Sequence, residues 1–156
     1  MHHAYCPVAV IHDEVPAHSG WPVLLGVDGS PASERATGIA FEEASWRKTD
    51  LVALHAWNDA EVSSIPSLEW SALENRADEI LAERLAGSGE RYPDVAVRRV
   101  VVWDYPARHL IERSEMAQLV VVGSHGRGGF AGMLLGSVST AVAHGACTPV
   151  IVGRER

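Results

Sequence analysis

The chain has 156 residues, 47% of them hydrophobic and 21% charged, a balance that suits one packed domain and excludes a disordered or fibrous chain. Its formal net charge of −7 argues against a nucleic-acid partner, which would call for a surplus of Lys and Arg. The longest apolar runs stop well short of the ~18 residues a membrane helix needs, and no charged-then-apolar leader opens the sequence, so a soluble, cytoplasmic protein without a membrane partner is expected. The two cysteines, Cys6 and Cys147, are too few for a zinc quartet or a disulfide framework.

The apolar runs alternate with stretches of helical spacing. Residues 21–27 read as the first clear strand and run into Asp28, Gly29, Ser30 and Pro31, where Ser30 suits a helix N-cap and Pro31 the first helical position. A helix is expected from there to about Thr49. Residues 50–57 form a continuous apolar run, as in a strand buried on both faces. After a polar stretch over 58–67, Leu73, Ala77, Ile80, Leu81 and Leu85 recur at the spacing of an amphipathic helix ending near Gly87. Residues 95–103 read as the third strand, 105–115 as a short helix with Pro106 in its first turn, and 119–122 as the fourth strand. A glycine-rich loop over 123–136, a helix over 137–146 and a strand over 149–152 complete the pattern. Strands separated by helices predict parallel pairing with right-handed crossovers, hence an α/β doubly wound sheet with helices on both faces.

The first twenty residues fall outside this alternation and look like a copy of its end. At an offset of 142, residues 2–10 match 144–152 at the His, Ala, Pro and both Val positions, and Asp13 then aligns with Glu155. The reading that follows is that residues 1–20 are the last strand of a preceding homologous domain plus a linker, and that 21–156 form the domain proper. An extra N-terminal strand is then expected beside the sheet.

The densest run of unusual residues is 123–137, between a buried strand and a helix. In an open α/β sheet this edge carries exposed helix N-termini that favour anions, and glycines let a backbone approach a phosphate closely. A phosphate-bearing ligand is the natural inference, with a merely mobile, capped loop as the plainer alternative. The Walker pattern requires a lysine in the loop, whereas Lys48 is the chain's single lysine. Residues 126–131 satisfy the loose dinucleotide pattern but lie at the end of the chain instead of in its first βαβ unit. A third pattern, Gly-x2-Gly-x9-Gly-Ser/Thr, is met by Gly123, Gly126, Gly136 and Ser137.

The block from Leu119 to Val152, with this spaced glycine motif, and the opening run Gly26, Val27, Asp28, Gly29, Ser30 closely resemble the universal stress protein family over residues 21–153. The resemblance implies a five-stranded parallel sheet in the order 3-2-1-4-5 and, through the intact glycine motif, the ATP-binding branch, with the chain similar to the second domain of a tandem protein. It implies that Gly123, Gly126 and Gly136 wrap the phosphates and ribose, and that Ser137, Val138 and Ser139 meet the phosphates at a helix N-terminus. By the same resemblance Asp28, beside Gly26 and Val27, stands near ribose or adenine, Ala56 touches adenine, and Arg127 neutralises phosphate charge from within the loop. Residues 103–105 depart from the small residue many members carry after the third strand.

A single buried His55 without a nucleophile or paired carboxylate nearby reads as a satisfied core or pocket-wall residue, and Asp28 by itself could serve only as a cap. The leading expectation is therefore a nucleotide-dependent stress-response regulator or sensor holding ATP, with or without magnesium, and no redox cofactor. No general base stands out, so at most slow ATP hydrolysis is expected. The alternatives are AMP or cyclic AMP in the same pocket, or a nucleotide-free module that associates through its last strand. That strand is also where a homodimer, or a pseudo-dimer with a preceding domain, is expected, residues 7–11 lying against 149–152 of the same or a neighbouring chain. Replacing Gly123 and Gly126 with bulky residues is expected to abolish nucleotide binding with little loss of fold.

Overall fold

In the computed structural model, which describes residues 6–12, 18–57, 70–126 and 135–154, the strands form one sheet. They are β1 (Val8–Val10), β2 (Val23–Gly26), β3 (Leu51–Trp57), β4 (Val97–Trp103), β5 (Leu119–Gly123) and β6 (Val150–Gly153). The helices are α1 (Pro31–Arg47), α2 (Trp70–Arg91), α3 (Pro106–Ser114) and α4 (Ser137–Gly145). The sheet order is β1-β6-β5-β2-β3-β4. Five strands are parallel, and β1 joins the β6 edge antiparallel. Counted without β1, this is the expected 3-2-1-4-5 order.

Strand periodicity divides the interior in two. Val23, Leu25, Leu51, Ala53, Leu119 and Val121 face Ala36, Ala40 and Phe41 of α1 and Leu81 and Leu85 of α2. Leu24, Val52, Leu54, Val120 and Val122 face Leu110 of α3 and Val142 of α4. Phe41, Leu81 and Leu110 are almost wholly withdrawn from water, which is worth roughly 1.5–3 kcal/mol for each such side chain.

Helix α1 begins as its sequence dictates. Ser30 is the N-cap, its side chain accepting from Ser33 N, and Pro31 occupies the first turn; the helix closes at Lys48 in a left-handed conformation. Helix α2 runs past the expected stop at Gly87 to Arg91. A glycine costs a helix only about 1 kcal/mol, and Leu81 and Leu85 anchor the preceding turns in the core.

Strand β1 lies against its own chain, with Val8 opposite Val152, Ala9 opposite Ile151 and Val10 opposite Val150. The repeated segments thus run head to tail, centred on the equivalent positions Ala9 and Ile151. Of that repeat, His2, Ala4, Asp13 and Glu155 lie outside the described residues. At the far end of β3 and β4, the rings of Trp57, Trp70 and Trp103 meet at centroid distances of 4.5–5.1 Å. Among the described residues no helix is long and apolar enough to cross a membrane.

Candidate nucleotide site

At the C-terminal edge of the sheet, where the chain leaves β2 for α1 and β5 for the glycine-rich loop, a cavity of about 450 Å³ opens on the side covered by α3 and α4. This volume falls within the range of small-molecule sites. Its walls hold ten of the expected residues: Gly26, Val27, Asp28, Ala56, Gly123, Gly126, Gly136, Ser137, Val138 and Ser139. Arg127 lies outside the described residues. The remaining lining comes from Leu54, Pro106, Leu110, Val122 and His125.

The Asp28 end is built by the turn between β2 and α1. Asp28 Oδ1 accepts from Ser30 N at 2.9 Å and stands 2.7 Å from the Ser30 hydroxyl. That hydroxyl is also 2.9 Å from the carbonyl of His125, and its one proton serves one acceptor at a time. The capping and ligand-facing readings of Asp28 are compatible in this geometry. One carboxylate oxygen belongs to the turn, while the other, Oδ2, lies toward Gly126, where an added Cβ would stand 2.9 Å away.

Beside it lies the base of the glycine-rich loop, joined to the turn where the Ser30 hydroxyl meets the His125 carbonyl. Gly136 N donates to the Ser124 carbonyl at 2.7 Å, and Ser139 Oγ lies 3.0 Å from the same carbonyl, so both feet of the loop are tied together. Gly136 is the N-cap of α4 and supplies no side-chain hydrogen bond. The amides of the first helical turn, at Ser137, Val138 and Ser139, have no acceptor within the helix and sit at the positive end of its dipole. Ser137 is the exposed hydroxyl at this end, whereas Ser139 is buried and turned to the loop carbonyls.

The glycines have different duties. A Cβ at Gly126 would enter the space before Asp28, but one at Gly123 would strike the backbone of α1, 2.8 Å from Ala32 C and from Ser33 N. The expectation that both could be enlarged at little cost to the fold is therefore corrected: Gly123 is also where β5 packs on α1.

The cavity combines three kinds of chemistry. Asp28 repels anions and suits hydroxyl or amine donors, the α4 amides suit an anion, and Val27, Leu54, Ala56, Leu110 and Val122 provide an apolar wall. Residues 103–105 do not form that wall, since Trp103 packs on Trp57 and Trp70. Asp104 and Tyr105 turn the chain with φ of 47° and 46°, and Pro106 and Leu110 line the cavity beyond them. His55 is buried with Nδ1 2.8 Å from the Val27 carbonyl, consistent with its reading as a core residue. His125, by contrast, faces the cavity, with Nδ1 3.0 Å from Ser124 Oγ; its place between Gly123 and Gly126 was the available signal. No group of three or more His, Cys, Asp or Glu side chains that could hold a metal occurs among the described residues.

A doubly wound sheet with an anion-favouring helix terminus at its carboxyl edge defines a Rossmann-like α/β protein. The universal stress protein family model matches residues 22–154, and the chain belongs to that family. It is 63% identical over 158 residues to universal stress protein Rv2623 of Mycobacterium tuberculosis (strain ATCC 25618 / H37Rv), covering 99% of this chain and 53% of that protein. The chain thus spans about half the length of the curated relatives it matches. Among solved structures it is similar to a universal stress protein in complex with cAMP, with TM-score 0.59, 27% identity, and coverage of 86% of this chain and 98% of that one. The fold also matches the universal stress protein from Archaeoglobus fulgidus in complex with dAMP, with TM-score 0.57, 20% identity, and coverage of 87% and 99% respectively.

Proposed function

We propose that this domain binds an adenine nucleotide, with ATP as the leading ligand, and acts as a nucleotide-dependent regulator or sensor in a stress response. The observation that carries the reading is the set of groups lining one cavity: the Asp28 carboxylate, the start of α4 without a side-chain cap, and an apolar wall. A nucleotide carries a partner for each, with hydrogen-bond donors on ribose and base, the flat face of the base, and phosphates. Magnesium would come with the triphosphate, since it binds through phosphate oxygens and needs few protein carboxylates; Asp28 and the Ser137 hydroxyl are the cavity groups suited to assist it. Binding is the proposed activity, with hydrolysis at most slow.

AMP or cyclic AMP in the same cavity is the second reading, favoured by the similar protein solved with cAMP. The test is denaturing extraction of freshly purified protein, with mass identification and stoichiometry of the released nucleotide. Near-stoichiometric ATP supports the first reading, and AMP or cyclic AMP the second. If nothing is released and millimolar ATP, AMP and cyclic AMP all leave the melting temperature unchanged, the nucleotide reading falls in favour of an association module.

For residues 1–20 the proposal is that they represent the last strand of a preceding homologous unit. The antiparallel pairing about Ala9 and Ile151 supports it, as does the half-length coverage of the relatives. Association with a second unit would then use this edge, in a pseudo-dimer or a homodimer.

A further inference from the structure

The residues on either side of Asp28 are both held from the face of the sheet opposite the cavity. On one side the buried His55 lies with Nδ1 2.8 Å from the Val27 carbonyl. Because a carbonyl only accepts, Nδ1 carries the proton and donates. On the other side the guanidinium of Arg84, reaching from α2, lies against Gly29. A Cβ at Gly29 would fall 2.4 Å from Arg84 Cζ and 2.5 Å from Nη2, and Gly29 itself has φ of 77°. Arg84 Nη1 is buried without a hydrogen-bond partner.

Each of these features has a cost that an apolar core would avoid: a polar ring in the interior, an orphaned donor, and a backbone conformation that only glycine adopts readily. All three fall on the two neighbours of one carboxylate. Costs of this kind persist where the surroundings hold a functional group in place. Ser30 accounts for Asp28 Oδ1 and Ser33 Oγ, on α1, accepts from Asp28 N at 3.1 Å, which leaves the Val27 carbonyl and Gly29 to be held by other groups. His55 and Arg84 supply those two contacts.

We infer that His55 and Arg84 are positioning residues that clamp Val27 and Gly29 from behind and so aim Asp28 Oδ2 into the nucleotide cavity. The inference rests on the nucleotide reading above. It implies that α2, which contributes nothing to the cavity lining, sets ligand affinity through Arg84.

The test is a double-mutant cycle in the full chain, with ATP, AMP and cyclic AMP each titrated by calorimetry. Arg84→Met keeps an unbranched apolar stem and removes the guanidinium; Arg84→Lys is a second variant that keeps the charge without the planar group. Arg84→Met is expected to weaken binding about tenfold in the wild-type background but less than about twofold in Asp28→Asn, because the clamp acts through the carboxylate. His55→Asn, which retains a donor near Nδ1, is expected to keep more affinity than His55→Phe. A merely structural role would give equal losses in both backgrounds and no difference between the two His55 variants, and that result overturns the inference. So does unaltered binding by Arg84→Met. If wild-type protein binds none of the three nucleotides, the nucleotide reading has failed, and amide exchange then decides the clamp alone: faster exchange at Gly29 and Ser30 in both Arg84 variants supports it, and unchanged exchange overturns it.

Discussion

An added Cβ at Gly126 would stand 2.9 Å from Asp28 Oδ2, so two segments nearly a hundred residues apart in sequence confine the same small volume. Gly126→Val is accordingly expected to reduce nucleotide affinity more than tenfold, while its melting temperature stays within about 3 °C of wild type. Gly123→Val should instead melt much earlier, since its side chain meets the α1 backbone. Paired calorimetric titration and thermal unfolding distinguish the two; equal destabilisation by both would show that Gly126 is no freer than Gly123.

Ser30 joins the start of α1 to the loop. Its side chain accepts from Ser33 N at 3.2 Å and reaches Asp28 Oδ1 and the His125 carbonyl. Ser30→Ala should therefore cost about 1–2 kcal/mol of stability, as a lost N-cap does, and also weaken ligand binding. Urea unfolding measures the first effect and titration the second. A stability loss with unchanged affinity would confine Ser30 to its capping role.

Arg99 donates from Nε and Nη2 to the two carboxylate oxygens of Asp78, at 2.8 and 2.9 Å. That hydrogen bonding holds the Asp78 carboxyl below its ordinary value of 3.8, against a smaller opposing effect of burial. A carboxylate with a depressed folded-state pKa stabilises above its unfolded value, and the contribution disappears as pH falls through the folded value. Both side chains are 42% exposed, so solvent screening keeps the pair to at most about 1 kcal/mol. Arg99→Gln should lower the urea midpoint slightly near neutral pH and converge with wild type in strong acid, below the folded pKa. A gap that persisted there would assign the loss to packing on β4.

Val8 faces Val152 across an antiparallel pair, a relationship that puts Cα atoms about 4.5–5.5 Å apart and within disulfide reach. With Cys6 and Cys147 changed to Ser, cysteines introduced by Val8→Cys and Val152→Cys should oxidise within one chain and migrate as a monomer on a non-reducing gel. Dimers would instead indicate strand exchange. A homodimer that uses the same edge of β6 must first displace β1.

Much of the architecture was legible because local signals agreed with it: Ser30 and Pro31 start α1 as their chemistry requires, and the apolar runs of β2, β3 and β5 lie in the parallel core. The end of α2 was not legible because Gly87 is a weak stop when the turns before it are anchored by Leu81 and Leu85. The spacing of Gly123, Gly126 and Gly136 marked the loop, but spacing cannot separate a glycine facing a cavity from one pressed on a helix; that distinction depends on the backbone of Ala32 and Ser33. Arg84 was invisible for a related reason. Its contact with Gly29 comes from the packing of α2 beside α1, and no local pattern in either segment encodes it.

The three indoles at the end of β3 and β4 make the domain optically informative. Trp57 follows the cavity-wall residue Ala56 directly, and Trp103 stands three positions before Pro106. At centroid separations of 4.5–5.1 Å their electronic transitions couple, so a change in the relative tilt of the rings alters near-ultraviolet circular dichroism as well as emission. The protein thus carries its own chromophore beside the cavity, and movements of the β3 and β4 ends can be followed without an attached dye.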